Sequence, residues 1–228
     1  MNPLKNKLAA LSRVYDVYTG STNQQDFACA EKCSHCCTTD VTLTTLEAYR
    51  LVKNMAPVEK NELERRLADA ESVPRFRPAV TTNRLAEICA AGEEPPDEKK
   101  AGDATRCPLL VEDLCKQYEL RPFHCRCMVS RKVCSETGSA EMADHLLALN
   151  TVFLQVIEHL DRPGCTGNLL DLLLQMQSAE FIEAYENGRC NCAERHLVAN
   201  RPMTVLMVPP EHQERLAPVL GALESIRL

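Results

Sequence analysis

Cys29-Ala30-Glu31-Lys32-Cys33-Ser34-His35-Cys36-Cys37 places four thiols within nine residues. A second cysteine stretch answers it, reading Arg106-Cys107-Pro108-Leu109-Leu110, then Leu114-Cys115, Tyr118, Arg121-Pro122-Phe123-His124-Cys125-Arg126-Cys127. Cys33-x-x-Cys36 is the spacing at which one turn of chain aims two sulfurs at one ion, and zinc takes four such ligands in a tetrahedron. Iron–sulfur clusters also take Cys thiolates, so ligand softness does not separate the two metals. The wider gaps around Cys107, Cys115 and Cys125 suit loops closing on a shared centre. Adjacent side chains diverge in most backbone conformations, so Cys36 and Cys37 are not expected to serve one ion as a relaxed pair. Arg121 and Arg126 are placed to neutralise a thiolate-rich site, and His124 is a ligand or a neighbour of one.

The totals agree with metal rather than crosslinks. Thirteen Cys in 228 residues is high usage and an odd number. The first twenty residues carry Lys5, Lys7, Arg13 and Asp16 and no apolar signal core, and no apolar run reaches membrane-spanning length. The expected compartment is the reducing cytoplasm, where clustered Cys signals metal or redox chemistry more often than disulfides. A chain of this length buries a core without crosslinks. With 26 Lys and Arg against 32 Asp and Glu the net charge is −6, which argues against nucleic acid and anionic membrane as partners. Trp is absent and aromatics make up 4%, which argues against a base-stacking platform. No nucleophile elbow, Walker loop or dinucleotide fingerprint occurs.

Outward from the cysteines the patterning is helical. Leu4, Leu8, Leu11, Val14, Tyr15 and Tyr18 predict an amphipathic helix ended by Thr19-Gly20-Ser21. Thr44-Thr45-Leu46-Glu47 is a capping box opening a helix from Thr45 to Met55. Pro57 interrupts, and a charged helix resumes over Glu59–Glu71. A short helix is expected at Thr82–Ala91, then a charged, Pro-containing mobile loop at Gly92–Gly102. Ser139 opens a strong helix with an apolar stripe, running to Asp161 and stopped by Pro163-Gly164. Thr166 or Asn168 caps the next helix, Leu169–Met176. Another covers Ala179–Glu186, with Asn187-Gly188 as its stop. Thr204–Val208 is the best strand candidate, and a last helix spans Glu211–Ile226. His145, His159 and His212 read as surface or boundary residues. Cys190-x-Cys192, with His196, is a weaker metal pair with a tight bite.

The expected fold is therefore mostly α, with helices around irregular cysteine-rich loops that meet at a metal centre, and little β. Residues 1–140 form the cysteine-cluster region, and 141–228 a helical extension packed into the same domain.

The two cysteine stretches together resemble the zinc- or iron-chelating cysteine-cluster family of the YkgJ type. Its signature is a CxxCxxCC run, a helix opening with Thr and Glu, and a downstream C-P-x-L…C-x-x-Y-x-x-R-P-x-x-C-R stretch. The downstream part matches as Cys107-Pro108-x-Leu110, Cys115-x-x-Tyr118, Arg121-Pro122 and Cys125-Arg126. The upstream part matches as Cys29, Cys33, Cys36 and Cys37, with three residues instead of two after Cys29. The resemblance spans residues 27–130. It implies a chelated zinc or iron, and because seven thiols exceed one zinc's need the expected centre leans to iron–sulfur, a 4Fe–4S cluster in one form, built from Cys33, Cys36, Cys107, Cys115 and Cys125 with Cys29 or Cys37. The same domain type occurs in flagellin lysine-N-methylases, which brings in S-adenosylmethionine and methyl transfer by resemblance alone. Cys29-x3-Cys33-x2-Cys36 is also similar to the radical S-adenosylmethionine triad, but those enzymes need a β/α barrel that this strand-poor chain does not predict. The sequence identifies no protein partner or substrate, and leaves open whether the chain is an enzyme.

Overall fold

The computed structural model describes residues 3–68, 70–98 and 104–226. The first helix, α1 (Pro3–Thr22), buries Leu4, Leu11, Val14, Tyr15 and Tyr18 along one face. It runs past the expected stop. The Ser21 and Thr22 hydroxyls donate back to the Tyr18 carbonyl, both at 2.9 Å, and occupy a last-turn acceptor that would otherwise face solvent.

A short strand, β1 (Thr42–Thr44), runs directly into α2 (Thr45–Asn54). The capping box is present as the sequence predicts, with the Glu47 amide donating to Thr44 Oγ1 and the Thr44 amide donating to Glu47 Oε2 at 2.8 Å. The Glu47 carboxylate is buried, and it reaches further than a cap. Its Oε1 accepts from the Tyr15 hydroxyl of α1 and from the Phe123 amide, both at 2.7 Å. One side chain thus ties three chain segments together.

Pro57 opens α3 (Pro57–Leu67) instead of merely interrupting it, because its missing N–H costs nothing at a first helical position. Then come α4 (Thr82–Ala90) and a hairpin of β2 (Leu110–Val111) and β3 (Leu114–Cys115). The charged stretch expected as a mobile loop, 92–102, lies partly outside the described residues; up to 98 it is non-helical. Two short helices follow, α5 (Phe123–Cys127) and α6 (Cys134–Thr137).

The central helix α7 (Asp144–Leu160) carries the apolar stripe. It starts five residues later than predicted. The backbone of Glu141 is already committed, with its carbonyl accepting from Arg131 and its amide donating to Ser130 Oγ. Phe153 of α7 stacks on Phe123 at 5.4 Å, and Tyr18 meets both rings edge-on at 4.8 and 5.1 Å. This aromatic trio fixes α5 against the core.

After α7 the chain forms β4 (Cys165–Asn168), α8 (Leu169–Gln175), α9 (Ala179–Glu186), β5 (Val198–Ala199) and α10 (Gln213–Glu224). Asn168 caps α8, accepting from the Leu170 amide at 2.9 Å, and Gly188 at φ +72° follows α9. The sheet order is β1-β4-β5, all antiparallel, with Leu43 opposite Gly167 and Cys165 opposite Ala199. Thr204–Val208 is not a strand. Its backbone is satisfied by one side chain of α7: Gln155 Nε2 donates to the Val205 carbonyl and Gln155 Oε1 accepts from the Met207 amide. β-favourable residues form a strand only where an edge pairs with them, and among the described residues none pairs with this segment.

Asp161, just past α7, is fully buried. It accepts from the Leu46 amide at 3.0 Å, the Tyr185 hydroxyl at 2.6 Å and Asn200 Nδ2 at 3.1 Å. A Cβ on Gly164 would stand 2.5 Å from this carboxylate, so the anchored Asp161 leaves room there only for glycine. Burial pushes the Asp161 carboxyl up to about 7, with a smaller contribution from the charge of Glu47, against the pull of its donors.

Removing the Glu47 carboxylate strands two buried amides and the Tyr15 hydroxyl, each worth about 1–3 kcal/mol when unpaired. Glu47→Ala is therefore expected to lose about 3–5 kcal/mol in equilibrium urea unfolding, and a loss below ~1 kcal/mol contradicts this assignment. Asp161 holds its proton more tightly folded than unfolded. Its contribution is complete below the unfolded carboxyl value of 3.8 and is lost as pH rises through about 7. Relative to Asp161→Asn, the wild-type chain should lose stability over that window, as read by urea midpoints at stepped pH. A constant difference between the two proteins contradicts it.

Candidate metal centre

The two cysteine stretches fold onto each other through their backbones. The Cys107 amide donates to the Cys37 carbonyl at 3.0 Å, the Thr39 amide donates to the Thr105 carbonyl at 2.9 Å, and Thr38 pairs with Arg106 in an antiparallel bridge. Around this seam the chain turns tightly, with Cys33 N–H bonded to the Ala30 carbonyl and Cys37 N–H to the Ser34 carbonyl. The β2–β3 hairpin stands opposite. Glu112 and Asp113 at its tip both hold positive φ, +49° and +64°, which a two-residue type I′ turn demands. Asp113 then accepts from Ser34 Oγ at 2.6 Å and from the Arg106 guanidinium, so the hairpin is latched to the first cysteine stretch.

Between these walls lies a cavity of about 500 Å³. All seven sequence-predicted cysteines line it: Cys29, Cys33, Cys36, Cys37, Cys107, Cys115 and Cys125. Cys29 and Cys33 are exposed at its rim, and the other five are half-buried. Cys115 comes from β3 and Cys125 from α5, whose first amide is held by Glu47. The sulfurs are not closely packed. Among the described residues, no three of these seven lie within 4.8 Å of one another.

Cys36 and Cys37, adjacent in the chain, shift each other's titration. The interaction between these neighbouring thiols pulls Cys36 below the ordinary thiol range and pushes Cys37 well above it. Burial pushes Cys107 up to about 11 and raises Cys115 and Cys125. Arg121 lines the cavity as predicted, its guanidinium 3.7 Å from the Tyr118 ring centroid, and its buried Nε has no hydrogen-bond partner among the described residues. Arg126 does not join it. That side chain donates to the Arg121 and Glu119 carbonyls and lies over the Tyr15 ring at 4.4 Å. His124 also turns aside, with Nδ1 3.0 Å from Thr42 Oγ1. Cys127 and Cys134 are buried, and Cys127 packs in the core beside Phe123.

The sequence singled out Cys190 and Cys192 as a weaker metal pair but not the partner that the fold brings to them. Cys165, Cys190 and Cys192 lie together, with all three sulfurs within 4.8 Å. Cys165 and Cys192 are joined as a disulfide, contrary to the expectation that the clustered thiols carry no crosslink. Cys165 is isolated in sequence, and only the pairing of β4 with β5 brings it to the 190–192 turn. His196, the expected companion of that pair, is not part of the group.

The chain matches no family model, no curated protein and no solved structure. Among the described residues, no helix is long and apolar enough to cross a membrane.

In metal-free protein at pH 7, the Cys36–Cys37 pair should be the first half-buried position alkylated by iodoacetamide, because one of its thiols ionises easily. Cys107 should lag until the pH approaches about 11, and Cys125, raised further by burial, should lag beyond it. Peptide mass spectrometry on a time course reads the order, and equal rates at the three positions would defeat it.

Proposed function

We propose that the cysteine-lined cavity holds a thiolate-ligated metal centre, of the iron–sulfur class in preference to a single zinc ion. One observation carries this reading: seven thiols from two distant stretches and two different elements converge on one cavity, yet are spread around it. A lone tetrahedral zinc draws its sulfurs to about 3.8 Å apart, given Zn–S bonds of ~2.3 Å. Thiols spread more widely than that suit a multinuclear cluster, whose irons each take one sulfur. The half-buried Arg121 side chain, with its Nε unpaired among the described residues, supports an anionic occupant, since a cluster with several thiolates carries net negative charge. The motif resemblance to the zinc- or iron-chelating cysteine-cluster family points to the same class of occupant. In this reading Cys36, Cys37, Cys107, Cys115 and Cys125 supply the inner thiols, and Cys29 and Cys33 complete the rim.

A second reading adds an enzyme. The cavity's volume of about 500 Å³ falls in the range of small-molecule sites, which leaves space beside an inorganic cluster. A methylase-like activity using S-adenosylmethionine is the form that the resemblance favours.

Anaerobic purification followed by absorption spectroscopy, iron and acid-labile sulfide analysis tests the first reading. The expected product is brown, with iron and sulfide in equal amounts, and Cys125→Ser loses most of both. A colourless protein with stoichiometric zinc and no sulfide overturns the cluster. Calorimetry of the metal-loaded protein with S-adenosylmethionine tests the second reading, and an absence of binding heat removes it.

A further inference from the structure

We infer that Cys165, Cys190 and Cys192 form a second thiol site which, once reduced, binds one zinc-class cation independently of the cysteine-lined cavity. The three sulfurs lie within 4.8 Å of one another, whereas no three of the cavity's sulfurs do. The crosslinked pair and the Cys190 sulfur beside it sit closer than the ~3.8 Å that a single tetrahedral thiolate ion imposes, so reduction has only to let the three sulfurs part slightly to reach that spacing. The Cys165–Cys192 crosslink occupies two of the three. It gives no reason for a third sulfur, that of Cys190, to be held 3.1 Å from Cys165. A shared cation does give one.

The scaffold is rigid where such a site needs it. Cys165 is fully buried at the start of β4. Its backbone is clamped on both sides by one hydroxyl, since Thr45 Oγ1 donates to its carbonyl at 2.9 Å and accepts from its amide at 2.8 Å. The same hydroxyl oxygen lies 3.9 Å from the Cys190 sulfur. Opposite, the Cys192 sulfur is 3.6 Å from the Gly164 carbonyl, which is itself held by the Asn200 amide. No His or carboxylate among the described residues joins the three sulfurs, and Thr45 is committed to Cys165. The protein therefore provides three ligands, and the fourth position goes to water or another exchangeable donor. Three protein ligands with one open place is the pattern of a zinc site able to take a ligand rather than a purely structural one.

The chemistry balances with a phosphine as reductant. The phosphine takes the oxygen of one water to become its oxide, and its electron pair cleaves the Cys165–Cys192 bond to two thiols. Binding of the divalent cation then forms three metal–sulfur bonds and releases three thiol protons to solvent.

Cobalt(II) is the probe, added to the full-length, phosphine-reduced chain under anaerobic conditions. The wild type should take up one more equivalent than Cys190→Ser or Cys165→Ser, with the strong visible absorption of tetrahedral cobalt thiolate. Cys125→Ser, which disturbs only the cavity, should keep that equivalent. Cys190→Ser leaves both crosslink partners in place, and circular dichroism confirms which variants are folded. A readout free of variants is alkylation of the wild type, where cobalt should protect Cys165, Cys190 and Cys192 together. Equal uptake by the wild type and a folded variant overturns the site. So does absence of joint protection, or a Cys165–Cys192 crosslink that survives reduction or exchanges with Cys190 while cobalt is present.

Discussion

The carboxylate of Glu47 is the fixed point of this molecule. It closes the cap of α2 through the Thr44 amide, receives the Tyr15 hydroxyl from α1 and receives the Phe123 amide at the start of α5. Asp161 reaches the neighbouring position from the other side, taking the Leu46 amide. The free amides at the start of a helix are the natural seat of negative charge. Here two buried carboxylates share that seat. Asp161 is fully enclosed, and burial, with a smaller contribution from the charge of Glu47, raises its carboxyl to about 7.

Everything at the cysteine-lined cavity is registered from this point. Phe123 is held from two directions, by its amide on Glu47 and by its ring between Tyr18 and Phe153. Cys125 follows two residues later on the same short helix. The thiols of the first stretch sit on turns with little packing of their own. They are located by the backbone seam to Cys107 and by the Asp113 latch. Irregular chain alone would leave such thiols loosely placed. Pinned between a capped helix and a strained hairpin tip, they face one volume.

What the sequence revealed and what it hid divide by range of interaction. The capping box, the Asn168 cap and the stop after α9 were legible because each is settled within a few residues. The seven cavity thiols were legible because metal-ligand spacing is itself local within each stretch. Long-range partners were not. Nothing near Cys165 in sequence announces Cys192, and nothing in Thr204–Val208 announces that Gln155 will take the hydrogen bonds a sheet would have offered. Arg126 was misplaced for a similar reason, because nearby carbonyls and the Tyr15 ring compete for its guanidinium more effectively than the cavity does. The extra bonds of Glu47 were also invisible, although its role in the cap was plain.

The same helix start also bears on the second group of sulfurs. Thr45 clamps the backbone of Cys165, and Glu47, two residues on, clamps the amide of Phe123. The first turn of α2 thus stands between two thiol constellations of different breadth. In one, the sulfurs are spread around a volume. In the other, they are gathered within bonding reach of a single point. Breadth is what distinguishes the two proposed sites, because thiolate softness is common to zinc and iron–sulfur centres and cannot choose between them. Fastening both sites to that one turn lets each keep its own spacing, wide or tight, while the rest of the chain packs around them.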